Sequence, residues 1–220
     1  MQIVRFIRKP LTVAALLAVS AASQAAITVF TSQASFLAAV TAPGVDTFTG
    51  FSVTALTPSP VIRSAGSYTY TASAPDGFFG GGSAANPFLS TNTAADAITF
   101  GSFGGGVRAI GGNFFGSDVD GAFSAGSLTL LATDALGASV TQTITGSLTS
   151  FVGFVSTGAM NSLVLSSVQP AGGFLWPGAD NLTLAAAAGV TAVPEPETYA
   201  LMLGGLGLLG VISRRRRQAT

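Results

Sequence analysis

From Ile27 onward, short apolar or threonine-rich runs alternate with clusters of Gly, Ser, Pro, Asn and Asp. That punctuation is how an all-β sandwich reads in sequence. The pattern predicts strands at Ile27 to Phe30, Thr47 to Val53, Tyr68 to Ala72, Ala97 to Phe100, Val107 to Phe115, Ser127 to Thr133, Ser139 to Thr145, Phe151 to Ser156, Ser162 to Ser167 and Asn181 to Ala185. The clearest is Val140-Thr141-Gln142-Thr143-Ile144-Thr145, where threonine at every second position puts hydroxyls on one face of the pleat and suits a solvated sheet. Leu128, Leu130, Phe151 and Phe154 supply bulk for the space between two sheets. One helix is predicted at Ser32 to Val40, capped by Thr31 or Ser32, with Phe36, Leu37 and Val40 on its apolar face, closing one edge or end of the sandwich. The glycine-rich stretches Gly77 to Gly82 and Gly101 to Gly106 lack the Lys-Ser/Thr pair and following helix of a phosphate loop, and read as flexible turns.

The two ends have a different pattern. Arg5, Arg8 and Lys9 precede an apolar core from Leu11 to Val19 and a small-residue exit at Ser23-Gln24-Ala25, the layout of a cleaved secretory signal peptide over residues 1–25. The sandwich then occupies 26–185, and 186–193 is an alanine-rich linker without periodicity. The segment 194–217 opens with Pro194, Glu195 and Pro196, which hold an extended spacer. An apolar, glycine-rich span follows from Tyr199 to Ile212, short for a transmembrane helix. Arg214, Arg215, Arg216 and Arg217 stop transfer on the cytoplasmic side.

Composition narrows the chemistry. The 220 residues include no His and no Cys, which removes Ser-His-Asp and Cys-His catalysis, thiolate chemistry and disulfides. Charged residues make up 8% of the chain, and the nine cations balance nine anions. Seven of those cations are terminal: between 26 and 193, Arg63 and Arg108 face Asp46, Asp76, Asp96, Asp118, Asp120, Asp134 and Asp180, a net charge of −5. A body this acidic lacks the basic footprint that nucleic-acid binding requires.

Two places carry candidate chemistry. Ser117-Asp118-Val119-Asp120-Gly121 sets two carboxylates at alternate positions before a turn glycine, either a fragment of a Ca²⁺ site or a polar hairpin loop. The pair also has the residue type for acid–base glycoside hydrolysis, but nothing apolar or aromatic around it suggests a sugar cleft, and the expectation is a non-enzymatic protein. Trp176, the single tryptophan, sits in a loop before the last strand. It is either a core plug or an exposed indole able to stack on a sugar ring, with Asp180 and Asn181 as turn residues.

In Pro194-Glu195-Pro196, the short apolar span and the arginine cluster, the chain resembles the PEP-CTERM sorting signal of Gram-negative bacteria. The resemblance implies recognition and removal of the tail by the membrane protease-transpeptidase exosortase. It also implies transient anchoring in the inner membrane, then a destination at the cell surface or in an exopolysaccharide or biofilm matrix. The stretches Ile27 to Phe36, Phe151 to Phe154 and Trp176 to Leu184 resemble ectodomains carried by such sorted proteins, which implies a jelly-roll-like antiparallel β-sandwich akin in shape to carbohydrate-binding modules. The expected role is adhesive or structural in the matrix. The alternatives are a calcium-assisted, lectin-like carbohydrate-binding module and, more remotely, a glycan-active enzyme.

Overall fold

Period-two alternation dictates most of what forms. In β10 (Ser127–Asp134) and β11 (Ser139–Thr145), Leu128, Leu130 and Ala132 turn inward while Thr141, Thr143 and Thr145 face solvent. The structure, a computed structural model, describes residues 26–188 and 204–205. The predicted signal peptide, the Pro194-Glu195-Pro196 triplet and the arginine cluster lie outside the described residues, as does the 199–212 span apart from Gly204 and Gly205. Among the described residues no helix is long and apolar enough to cross a membrane.

The remaining elements are β1 (Ile27–Phe30), α1 (Gln33–Ala38), β2 (Val40–Asp46), β3 (Val61–Ala65), β4 (Tyr68–Ser73), β5 (Gly81–Ser83), β6 (Asn86–Ser90), β7 (Ile98–Gly101), β8 (Ala109–Ser117), β9 (Phe123–Ser124), β12 (Phe151–Ser156), β13 (Met160–Ser167) and β14 (Trp176–Ala187). They build two antiparallel sheets. One runs β1-β12-β8-β14-β6-β5, with β2 also on β14 and β9 on β8; the other runs β11-β10-β13-β7-β4-β3. Ile110, Phe114, Phe154, Leu182 and Leu184 of the first sheet join Tyr70, Phe100, Leu130, Leu163 and Leu165 of the second in one buried cluster. Residues 26–188 form an all-β body with its main core between two packed sheets.

Several elements depart from the sequence expectation. Residues 47–53 form no strand: the strand is β2 just before them, and Phe48 and Phe51 are loop residues whose rings plug the core. The Phe48 N–H donates to Asp46 Oδ1 at 2.8 Å, and Phe48 itself has φ 53°, a local turn that ends the strand. Helix α1 is shorter than predicted, because Val40 enters β2. Ser32 caps it without a side-chain bond, and Leu37 is exposed. Rather than closing an edge, α1 lies on the outer side of the first sheet, where Phe36 meets Phe151 at 5.3 Å between ring centroids and shares a cluster with Val40 and Ala185. Phe151 and Phe154 therefore separate, since three residues apart on a strand means opposite faces. Asn181 is not in a turn but at a register break inside β14, with φ 52°. Ala186 and Ala187, assigned to the linker from sequence, continue β14 against β2. Within Gly77 to Gly82, Gly81 and Gly82 belong to β5.

The two sheets are clamped by an ion pair that crosses between them. Asp46 of β2 accepts from Arg63 Nε at 2.7 Å and Arg63 Nη2 at 2.8 Å, while the Tyr70 hydroxyl donates to its Oδ2 at 2.7 Å. The guanidinium also lies 5.2 Å from the Phe48 ring centroid and 5.7 Å from that of Phe51, within cation–π range. Close approach of β2 to β3 requires Gly44, because a Cβ there would collide with the Ala65 carbonyl. Burial alone would raise the Asp46 carboxyl; the hydrogen bonds from Arg63, Tyr70 and the Phe48 N–H outweigh it and hold the group below its ordinary value. Burial, reinforced by the Asp46 charge, pushes the Tyr70 phenol far upward, so it stays a donor.

Removing Arg63 leaves a carboxylate without its partner. Arg63→Ala is expected to cost about 2–4 kcal/mol, allowing for solvent at the part-exposed guanidinium, as read by urea unfolding. Because the folded Asp46 pKa is depressed, its contribution is present above the unfolded carboxylate value of about 3.9 and is lost as pH falls through the folded one. The stability of the unsubstituted chain is therefore expected to fall more steeply than that of Arg63→Ala between about pH 5 and pH 2; parallel profiles would show that the clamp does not stabilise the fold.

Candidate functional site

β8 and β9 are joined by the turn Asp118-Val119-Asp120-Gly121-Ala122. Asp118 N–H donates to Ala122 O at 2.9 Å and Gly121 N–H to Asp118 O at 3.2 Å, while Asp118 Oδ1 accepts from Asp120 N at 3.0 Å and Ala122 N at 2.8 Å. Gly121 takes φ 73°, which a side chain would resist. The same turn recurs between β10 and β11: Asp134 Oδ1 accepts from Leu136 N at 3.0 Å and Ala138 N at 2.8 Å, with Gly137 at φ 89°. The two differ in their second carboxylate oxygen. Asp134 Oδ2 takes a 2.6 Å bond from the Ser156 hydroxyl, the main reason its carboxyl is held below the ordinary value. Asp118 Oδ2 has no such partner among the described residues, and Asp120 replaces Leu136 at the turn tip.

That open carboxylate lines a cavity of about 410 Å³ at one end of the sandwich. Strand register brings the opposite wall to it: Trp176, first residue of β14, pairs directly with Ser117, the residue before Asp118. Trp176 is half-buried rather than a core plug, and its indole N–H donates to Asn92 O at 3.3 Å, which fixes the ring. Phe174 stands 6.2 Å away, centroid to centroid, tilted by 60°. The glycines of β5 form another wall, tied to the turn by a 2.8 Å bond from Gly82 N–H to Gly121 O. Buried Ser90 anchors the back, its hydroxyl donating to Pro177 O at 3.0 Å.

Asp118, Asp120 and Trp176, singled out separately in the sequence, thus line one cavity. The sequence argument that no aromatic residue accompanies the carboxylates is corrected here, since Phe79 and Trp176 line the same cavity. Trp176 also sits at the start of β14 rather than in the loop before it. Sequence reasoning missed Asn92, Phe79, Phe174 and Gln169. The Gln169 side chain holds the 170–175 loop, with Nε2 donating to Leu175 O at 2.8 Å and Oε1 accepting from Leu175 N at 3.1 Å. No local pattern marks a loop glutamine for that role.

For cations the donor set is small. Among the described residues no group of three or more His, Cys, Asp or Glu side chains gathers. Asp118 and Asp120 alone fall short of the roughly six to eight oxygens that Ca²⁺ takes, so an ion there would draw on a bound ligand's own oxygens. The arrangement sets an aromatic ring beside hydrogen-bonding groups in one cavity.

Comparison with known proteins adds the tail. Residues 192–217 match the PEP-CTERM protein-sorting motif, the segment that holds Pro194, Glu195, Pro196 and the four arginines. The motif marks an exported protein sorted through the membrane as an exosortase target. No curated protein matches the chain. Among solved structures, a mutant of CBM29-2, from work probing ligand recognition by family 29 carbohydrate binding modules, is similar at 9% identity and a TM-score of 0.35, covering 77% of this chain and 99% of that one.

The turn geometry separates two roles of Asp118. Asp118→Ala deletes the acceptor of two backbone N–H groups and is expected to cost about 1–2 kcal/mol in urea unfolding. Asp118→Asn keeps an accepting Oδ1 and is expected to stay within about 0.5 kcal/mol of the unsubstituted chain. Equal losses from both would show that the charge, rather than the acceptor, holds the turn.

Proposed function

We propose that the chain is an exosortase-processed protein of the cell surface or extracellular matrix whose sandwich adheres to sugar chains of an exopolysaccharide without cleaving them. The observation that carries the reading is that Trp176, held through its indole N–H, lines the same cavity as Asp118, whose Oδ2 is open. A pyranose offers C–H faces to an aromatic ring and hydroxyls to neighbouring acceptors and donors. Asp118 Oδ2, Asp120 and Asn92 supply the latter. A body with a net charge of −5 favours neutral chains over polyanions.

The non-catalytic reading is supported by the carboxyls themselves. Asp120 is exposed, and Asp118 is half-buried with one oxygen committed to its own turn. Glycoside hydrolysis asks for a general acid and a base or nucleophile flanking one bond in a closed cleft, and this pair sits together at one rim. The open Asp118 Oδ2 favours a second reading, calcium-assisted binding in which the ion is shared by both aspartates and the sugar.

Co-sedimentation of the full chain with the producing organism's exopolysaccharide tests the binding reading. Trp176→Ala is expected to weaken retention by about tenfold or more. Undiminished retention would exclude the cavity, and loss of binding in chelator would select the calcium-assisted reading. Sorting is tested in cells that contain exosortase. Alanine at Pro194, Glu195 and Pro196 together is expected to leave the chain in the membrane fraction at its unprocessed mass; normal release would show that the tail is not the address.

A further inference from the structure

Trp176 lines two adjoining hollows. Besides the polar cavity, a second of about 640 Å³ shares Asn92, Asp118, Val119 and Trp176 with it and is completed by Thr93, Ala94, Ala95 and Phe174. Its character differs from its neighbour's. Phe174 is 73% exposed and Val119 75% exposed. Single exposed apolar residues are ordinary. Two of them converging with Trp176, Ala94 and Ala95 on one hollow that adjoins a polar cavity are not scattered surface.

The hollow is also built. Gln169 Nε2 donates to Leu175 O at 2.8 Å and to Ala94 O at 2.9 Å, so one side chain ties together the two walls. Ser167 Oγ adds a 3.0 Å bond to the same Ala94 carbonyl. Leu175 is buried between Phe174 and Trp176 and anchors the loop that carries them. Phe174 is therefore held out over the hollow by a fixed loop.

We propose that this second hollow receives the apolar substituent of an acylated sugar chain, an O-acetyl group foremost, while the neighbouring residue of the same chain occupies the polar cavity. The inference rests on the sugar-binding reading above. The shared wall decides the occupant. A ligand that fills both hollows must present hydroxyls to one and an apolar group to the other, within the span of adjacent sugar residues. A purely apolar partner would leave Asp118 and Asn92 facing it without hydrogen bonds, which is unfavourable for polar groups removed from water. An unsubstituted sugar in the polar cavity would leave Phe174 unused.

The test is affinity electrophoresis of the full chain, purified in mild detergent, through gels holding three matched polymer pairs: acetylated glucomannan, acetylated xylan and acetylated bacterial exopolysaccharide, each with its alkali-deacetylated form. The acetylated member of at least one pair is expected to retard the chain about fourfold more strongly, the value of one buried methyl group. Phe174→Ser and Ala95→Asn, both at exposed positions that line the second hollow and not the polar cavity, are expected to bring that ratio to about one while retardation by the deacetylated polymer stays within about twofold. Equal retardation within every pair, or an unchanged ratio in both variants, overturns the acyl assignment and leaves sugar binding standing. Retardation by no polymer overturns sugar binding, and this inference with it.

Discussion

The ion pair between Asp46 and Arg63 is the contact on which the arrangement of the sheets depends. Between residues 26 and 193 the chain has two cations, and it places one of them at the joint between its sheets. A pair that is largely withdrawn from water is stable only when its geometry is good and its remaining hydrogen-bonding capacity is filled. Both conditions hold: the pairing is bidentate, and Tyr70 and the Phe48 N–H take further positions on the carboxylate. Phe48 and Phe51 then cover the guanidinium, and Gly44 removes the side chain that would keep β2 from β3. The consequence reaches the cavity through one strand. β14 pairs with β2 at its C-terminal half, Leu182 opposite Asp46, and begins at Trp176.

The same region shows where sequence reading succeeds and where it stops. Strands whose alternation is driven by solvent on one side and core on the other, β10 and β11 above all, are legible because the period is written in Leu and Thr. Phe48 and Phe51 mimic such a strand, yet their apolar character serves a loop that plugs the core. β3 lies behind Pro58 and Pro60, with an arginine at its centre that reads as a surface residue until Asp46 is seen beneath it. β5 is glycine in two of its three positions and has almost no side-chain signal, although its backbone walls the cavity. Phe151 and Phe154 were legible as bulk but not as belonging to two different clusters, which requires counting parity along a strand whose bounds are known.

For the site, residue types were legible and their convergence was not. Asp118, Asp120 and Trp176 stood out as a turn pair and a lone indole, and only the β8–β14 register, with Trp176 opposite Ser117, makes them neighbours. Residues that position rather than contact, such as Gln169, have no local signature at all, since their partners are backbone atoms of loops whose places only the tertiary fold sets. The tail is the opposite case. A sorting address is read as a linear string by a processing enzyme, so its information is in order and spacing, and it can be recognised from residues 192–217 without any fold.

The repeated aspartate turn suggests how a structural scaffold of this kind acquires a binding edge. At Asp134 every oxygen is used: one stitches the turn and the other meets Ser156, so the hairpin is closed and inert. At Asp118 the same stitch is made, but the outer oxygen is left open beside Trp176, and a second aspartate stands where the closed turn has leucine. No change of backbone separates the two. A turn that folding already requires becomes a recognition element when its buried partner is absent and an aromatic residue is brought alongside by strand pairing. In a chain without histidine or cysteine, that is an economical route to a polar site: the acceptor is held rigid by the hydrogen bonds that make the hairpin, and little further ordering is needed when a ligand arrives.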